Sequence, residues 1–298
     1  MRHPAAVFLG ALLIGALPAA AQKFEVPPLV APPSAEHHVG KVIWTDLATP
    51  DLAAAEKFYS GLFGWTFREL RGGDKGYALA LLDGRPVAGL FQRPEPSGDR
   101  KRPAWLAFIA VRDVDSAKTT ALAHGAKVVF EPRTYPQRGR QATFSDPEGA
   151  VFGVLASASG DPGDYLSAPG DWIWNALLVK DPDTEAAFYQ TLLGYDVFEL
   201  STDDSRQHLI LSSDNFARAG VNQFPSGSAR RHPHWVNFVR VVDANASAAR
   251  AVSLGGRILV EPHVDRHGGN VALVADPGGA LVGLMEWSDA EGKEKEPK

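Results

Sequence analysis

The sequence predicts an α+β protein of two tandem domains, each built from two paired βαβββ units. Three observations carry that prediction. Residues 51–65, DLAAAEKFYSGLFGW, return without a gap as residues 181–195, DPDTEAAFYQTLLGY. The same 130-residue offset relates Trp44 to Trp174, Trp105 to Trp235, Asp113 to Asp243, Glu131-Pro132 to Glu261-Pro262 and Asp146-Pro147 to Asp276-Pro277. So constant a repeat marks a duplicated domain whose insertions are confined to loops. Each copy also contains two related halves, since WTDLATPDLAAAEKFYSGLFGW resembles WLAFIAVRDVDSAKTTALAHGAKVV. Finally, strand-like runs follow the helical patterns, broken by Gly, Pro and Asp.

The chain opens with a leader. Arg2 gives residues 1–21 a basic start, Ala5 to Leu17 is an apolar run of 13 residues, and Ala19-Ala20-Ala21 forms an A-x-A cleavage signature. The run is shorter than the roughly 20 residues a membrane-spanning helix needs. A signal peptide cut after Ala21 is therefore expected, with the mature protein periplasmic or secreted and not inserted in the membrane. Residues 22–39, QKFEVPPLVAPPSAEHHV, form a Pro-rich lead-in without periodicity.

The first domain is expected over residues 40–157. Its opening helix rests on the stripe Ala53, Ala54, Ala55, Phe58 and Leu62, with Asp51 placed to cap it and Gly64 to end it. Strands follow at YALALLDG, PVAGLF, KVVFEP, QATFSD and VFGVLAS. Residues 158–169 read as a linker and residues 170–288 as the second domain. The tail, residues 289–298, is charged and nearly free of apolar residues, so it is expected to be disordered. The DPEG and DPGG stretches read as tight turns between adjacent strands.

Composition narrows the functions. The net charge is −5, with 35 acidic and 30 basic residues, and no basic stripe is present. Nucleic acid is excluded as a partner on that ground. There is no cysteine, so disulfides, thiolate metal ligands and a cysteine nucleophile are excluded as well. A G-x-S-x-G elbow, an H-E-x-x-H pair and a phosphate loop are also missing from the sequence.

D-L-x-x-A-x-x-F-Y-x-x-L-F-G-W at the head of a βαβββ unit, with D-P-E-G-A near the end of its partner, resembles the glyoxalase/bleomycin-resistance/extradiol-dioxygenase superfamily, also called vicinal oxygen chelate. The likeness covers roughly residues 40–157 and 170–288. It implies an open, mixed, barrel-like sheet around a pocket, where members of the superfamily typically hold a divalent metal through His, Gln or Glu. One implied ligand position lies seven residues before the helix-capping Asp, and here it holds Trp44, Leu106, Trp174 and Val236. The other lies seven residues after the Asp of the DPEG turn, and here it holds Gly153 and Gly283. None of these side chains ligates such a cation. No metal and no other cofactor is therefore expected at those positions.

Strand alternation then defines the pocket walls. Trp44 and Asp46 face Leu106 and Phe108 in the first domain, and Trp174 faces Val236, Phe238 and Arg240 in the second. The walls are apolar and aromatic, which suits a small-molecule ligand. Trp44 and Trp174 have two readings, as ligand walls or as plugs closing the barrels. Asp46 is either paired with a nearby cation or a candidate base or hydrogen-bond acceptor, because a lone buried carboxylate is costly. Arg240 either clamps a ligand carboxylate or reaches solvent. An alternative divalent-metal site is confined to the second domain, at His232, His234, His263 and His267 with Asp265 nearby.

The expected function is thus metal-independent binding of a small, largely apolar or aromatic molecule by an exported protein. One alternative is a metal-dependent lyase, isomerase or dioxygenase of the same superfamily. The other is a non-catalytic pseudoenzyme or assembly module.

Overall fold

The computed structural model describes residues 25–70, 76–93, 104–200, 206–224, 232–265 and 268–287 of the 298-residue chain. The leader, residues 22–24 of the lead-in and the charged tail lie outside the described residues.

The first domain runs β1 (Val42–Thr49), α1 (Leu52–Phe63), β2 (Thr66–Leu70), β3 (Tyr77–Leu82), β4 (Arg85–Gln92), β5 (Ala104–Ala110), α2 (Val114–Ala123), β6 (Lys127–Tyr135), β7 (Gly139–Ser145) and β8 (Val151–Ser157). The second repeats that order as β9 (Trp172–Val179), α3 (Pro182–Leu193), β10 (Asp196–Glu199), β11 (His208–Ser213), β12 (Phe216–Gln223), β13 (His234–Val241), α4 (Ala244–Ser253), β14 (Arg257–Val264), β15 (Asn270–Ala275) and β16 (Leu281–Glu286). Each domain is one open, mixed eight-stranded sheet among the described residues, ordered β2-β3-β4-β1-β5-β8-β7-β6 and β10-β11-β12-β9-β13-β16-β15-β14. The two units of a domain meet where β1 runs antiparallel to β5, and where β9 runs antiparallel to β13.

The local signals explain the elements. Asp51, Asp113, Asp181 and Asp243 each accept a backbone N–H from the residue three positions on, which caps all four helices. Gly64 and Gly194 end α1 and α3 at φ 74° and 72°, a left-handed conformation that costs glycine little.

Packing joins the domains through their helix-bearing faces. Phe58, Tyr59 and Phe63 of α1 share one buried cluster with Ala244, Ala248 and Ala251 of α4. Val114, Ala117 and Ala121 of α2 share another with Phe188, Tyr189 and Leu193 of α3. The first unit of one domain thus packs on the second unit of the other. Trp65 donates to the carbonyl of Gly170 at 2.7 Å, and Trp172 to that of Val87 at 2.9 Å. The opposite face of each sheet keeps its own smaller apolar cluster.

The lead-in and linker are bound to the fold. Val26 and Leu29 are buried, and the Ser159 hydroxyl accepts the N–H groups of Leu29 and Val30 at 3.0 and 3.3 Å. Asp164 takes a two-pronged pair from Arg218 at 2.6 and 3.0 Å and an ion pair from Lys41 at 2.9 Å. Among the described residues no helix is long and apolar enough to cross a membrane.

Candidate functional site

The sheet faces turned away from the packed helices are the candidate sites. In the first domain the register sets Trp44 opposite Phe108 and Asp46 opposite Leu106. Phe108 in turn neighbours Gly153, and Asp46 neighbours Gly89. The four predicted residues therefore do share one wall. Asp46 Oδ1 accepts from the Trp44 indole at 2.8 Å and from the Tyr77 hydroxyl at 2.9 Å. A Cβ on Gly89 would overlap both Tyr77 and Asp46, so glycine is what lets that bond form. Burial pushes the Asp46 carboxyl above its ordinary value, against the pull of the Arg138 charge and the two donors. Arg138 lies over the Trp44 ring, its guanidinium carbon 3.9 Å from the centroid. The same guanidinium donates through Nε to the carbonyl of Pro27 at 2.8 Å.

This wall is covered. Trp44 is 5% exposed, Asp46 9% and Phe108 2%, with Leu29 in the same cluster. Asp46 is a partnered carboxylate, and the nearby cation is Arg138. Tyr77 was readable in retrospect as the start of an alternating strand. Arg138 sits just before β7 in a loop without periodicity, so nothing in the sequence marked it.

The second wall is built alike and finished differently. Trp174 stands opposite Phe238 and Ala176 opposite Val236. Around buried Ala176, Val236, Phe238 and Met285 lie the partly exposed Ile173, Trp174, Leu178, Val271, Leu273, Leu281 and Trp287. Where the first domain has Asp46 and Tyr77, the second has Ala176 and His208. His208 Nδ1 lies 2.8 Å from Asn222 Oδ1. Arg240 is turned to the protein itself, donating to the carbonyls of Ser167 at 2.7 Å and Trp287 at 3.0 Å. Arg240 also lines a surface cleft of about 370 Å³ with Phe63, Gly170, Val242 and Arg250.

The metal positions implied by the resemblance do not suit a metal. Trp44, Phe108 and Gly153 are adjacent on three strands, as are Trp174, Phe238 and Gly283. A Cβ at Gly153 would overlap the Phe108 ring, and one at Gly283 the Phe238 ring. The space of a ligating side chain is thus taken by a phenyl group in both domains. For the alternative site, His234 and His263 each direct Nδ1 to the carbonyl two residues earlier, at 2.7 and 2.9 Å. His232 is exposed, and His267 lies outside the described residues. Among the described residues no group of three His, Asp or Glu side chains is arranged to hold a metal.

Comparison with known proteins gives a consistent picture. A model of the Glyoxalase/Bleomycin resistance protein/Dioxygenase superfamily matches residues 37–154, and a Glyoxalase-like domain model matches residues 175–285. The chain is 30% identical over 257 residues to the putative glyoxylase CFP32 of Mycobacterium tuberculosis, covering 86% of this chain and 98% of that protein. It is 31% identical over 262 residues to the anthracycline biosynthesis protein DnrV of Streptomyces peucetius, covering 83% and 93%. The Mn(II)-bound glyoxalase from Novosphingobium aromaticivorans shares the fold at 19% identity and a TM-score of 0.56, over 84% of this chain and 83% of that one. The 2,3-dioxygenase LapB from Pseudomonas sp. KL28 does so at 15% identity and a TM-score of 0.59, over 85% and 94%.

Proposed function

Because the chain belongs to the glyoxalase/bleomycin resistance protein/dioxygenase superfamily, we propose that it binds a small, largely apolar or aromatic molecule on the free face of its second domain, without a metal at the superfamily's usual ligand positions. One observation carries this reading. The second wall leaves Trp174 and Leu178 partly exposed around buried Val236 and Phe238, whereas the matching first wall is covered. Partly exposed aromatic and aliphatic side chains on one sheet face favour a planar ligand, because ring contacts add about 0.5–1.5 kcal/mol beyond area burial. A micromolar complex needs roughly 8 kcal/mol, so the aliphatic floor must contribute along with the rings. That two relatives are named for anthracycline biosynthesis supports a planar aromatic compound as the ligand class.

The glycines at two of the ligand positions, each with a phenyl ring filling the space beside it, support binding over metal-assisted catalysis. Export remains part of the proposal, with residues 1–21 removed and the cysteine-free mature chain working outside the cytoplasm. The test is saturation-transfer NMR with 2-naphthol. Transfer to the ring protons should be seen with the natural protein and lost in Trp174→Ala. Equal transfer in both would refute the assignment.

A further inference from the structure

We propose that the covered face of the first domain is a second ligand site, selective for a planar aromatic carboxylate, which the chain closes with its own residues 25–30. The inference goes beyond the reading of the second domain and uses different residues.

Arg138 carries the argument. It is 1% exposed, and its guanidinium carbon lies over the Trp44 ring, 3.9 Å from the centroid. Nε donates to the Pro27 carbonyl at 2.8 Å and the guanidinium also meets the Tyr77 hydroxyl and the Asp46 charge, while Nη2 is buried without a hydrogen-bond partner. A guanidinium presents Nε and Nη2 as parallel donors matched to the two oxygens of a carboxylate. A single backbone carbonyl satisfies one of them. An unmet buried donor costs about 1–3 kcal/mol, so the present occupant fits the site imperfectly. A carboxylate would fit it better.

The lead-in behaves as that occupant. Leu29 and Val30 supply its contacts to the wall's apolar cluster, Val26 is buried as well, and the single hydroxyl of Ser159 receives the N–H groups of Leu29 and Val30. Beneath lie Trp44 and Phe108, with Phe91 and Leu106 partly exposed at the margin, a surface that suits an aromatic body as well as aliphatic side chains. Asp46 is already held by Trp44 and Tyr77, so it fixes the indole that Arg138 stacks on. The second domain lacks this recognition. At the 130-residue offset Gly268 replaces Arg138 and Ala176 replaces Asp46. Selectivity for the carboxylate therefore belongs to the first domain.

The test compares 2-naphthoate with neutral 2-naphthol by isothermal titration. In the Val26→Asp/Leu29→Asp protein the affinity for 2-naphthoate should rise about tenfold, since a face that is open only part of the time binds with its affinity multiplied by the open fraction. Adding Arg138→Gln should remove that gain. A variant that melts like the natural protein but binds 2-naphthoate no more tightly overturns the proposal. If the doubly substituted protein does not fold, hydrogen exchange on the natural protein decides. Saturating 2-naphthoate should speed exchange of the Leu29 and Val30 amides several-fold, and unchanged exchange there overturns the proposal. Failure of the second-domain reading would show instead as unaltered 2-naphthol binding in Trp174→Ala.

Discussion

The Tyr59 hydroxyl donates to Asp276 Oδ2 at 3.1 Å, tying the first helix of one domain to a turn of the other 217 residues later. The mirror bond runs from Tyr189 to Asp146 Oδ2 at 3.0 Å. Each tyrosine oxygen also accepts an indole N–H, from Trp105 at 2.9 Å and from Trp235 at 3.0 Å. The FY pair of the helix and the Asp of the D-P-x-G turn are therefore two halves of one docking contact, made twice.

Tyr59→Phe removes the shared hydroxyl and leaves the Trp105 indole and a carboxylate oxygen of Asp276 without their partner. The expected cost is about 1–3 kcal/mol of unfolding free energy, read from urea denaturation. Tyr189→Phe should cost a similar amount. A loss under about 0.5 kcal/mol for both would mean that the contact is incidental.

Glu185 sits fully buried beside Asp146, with Oε1 accepting the Glu148 N–H at 2.9 Å. Burial, and then the Asp146 charge, push its carboxyl from 4.5 up to about 8. The folded state thus holds a proton that the unfolded chain releases. The contribution to stability is fully present below about pH 4.5 and is lost as pH rises toward 8. Glu185→Gln should flatten that decline and stabilise the protein at pH 8 by on the order of 2 kcal/mol after allowance for solvent screening. Thermal melts at pH 5 and pH 8 check this, and parallel declines in both proteins would contradict it.

Trp44 and Trp174 occupy matching positions in unlike surroundings. Trp44→Ala should cost about 3–5 kcal/mol, because it opens a cavity under Arg138. Trp174→Ala should cost well under half as much, since its ring is partly exposed. Calorimetric melts of the two variants should separate by several degrees. Equal losses would remove the distinction between the two walls.

The leader prediction is settled by the first residue. Protein recovered from the periplasm or medium should begin at Gln22, shown by N-terminal sequencing. An exported chain that keeps Met1 would contradict it.

Much of the fold was legible because its signals are local. An Asp before a helix and a Gly after it act within a turn, and strand alternation put Trp44, Asp46, Leu106 and Phe108 on one wall. What escaped was non-local. The Tyr59–Asp276 bond joins two residues that each had a sufficient local explanation, as helix core and as turn former. The lead-in has no periodicity, because two side chains and a few backbone bonds fasten it. Arg138 was hidden for the same reason. It lies in an irregular stretch, and its partners come from β1 and from the lead-in, 94 and 111 positions away.

On the proposed function, the second domain binds an aromatic molecule on Trp174 and Phe238 with no metal at the superfamily's ligand positions. Titration calorimetry with 2-naphthol, before and after exhaustive chelation and again with Mn(II) restored, tests it most directly. One affinity is expected under all three conditions, and its loss in Trp174→Ala. Binding that vanishes on chelation and returns with Mn(II) would contradict it.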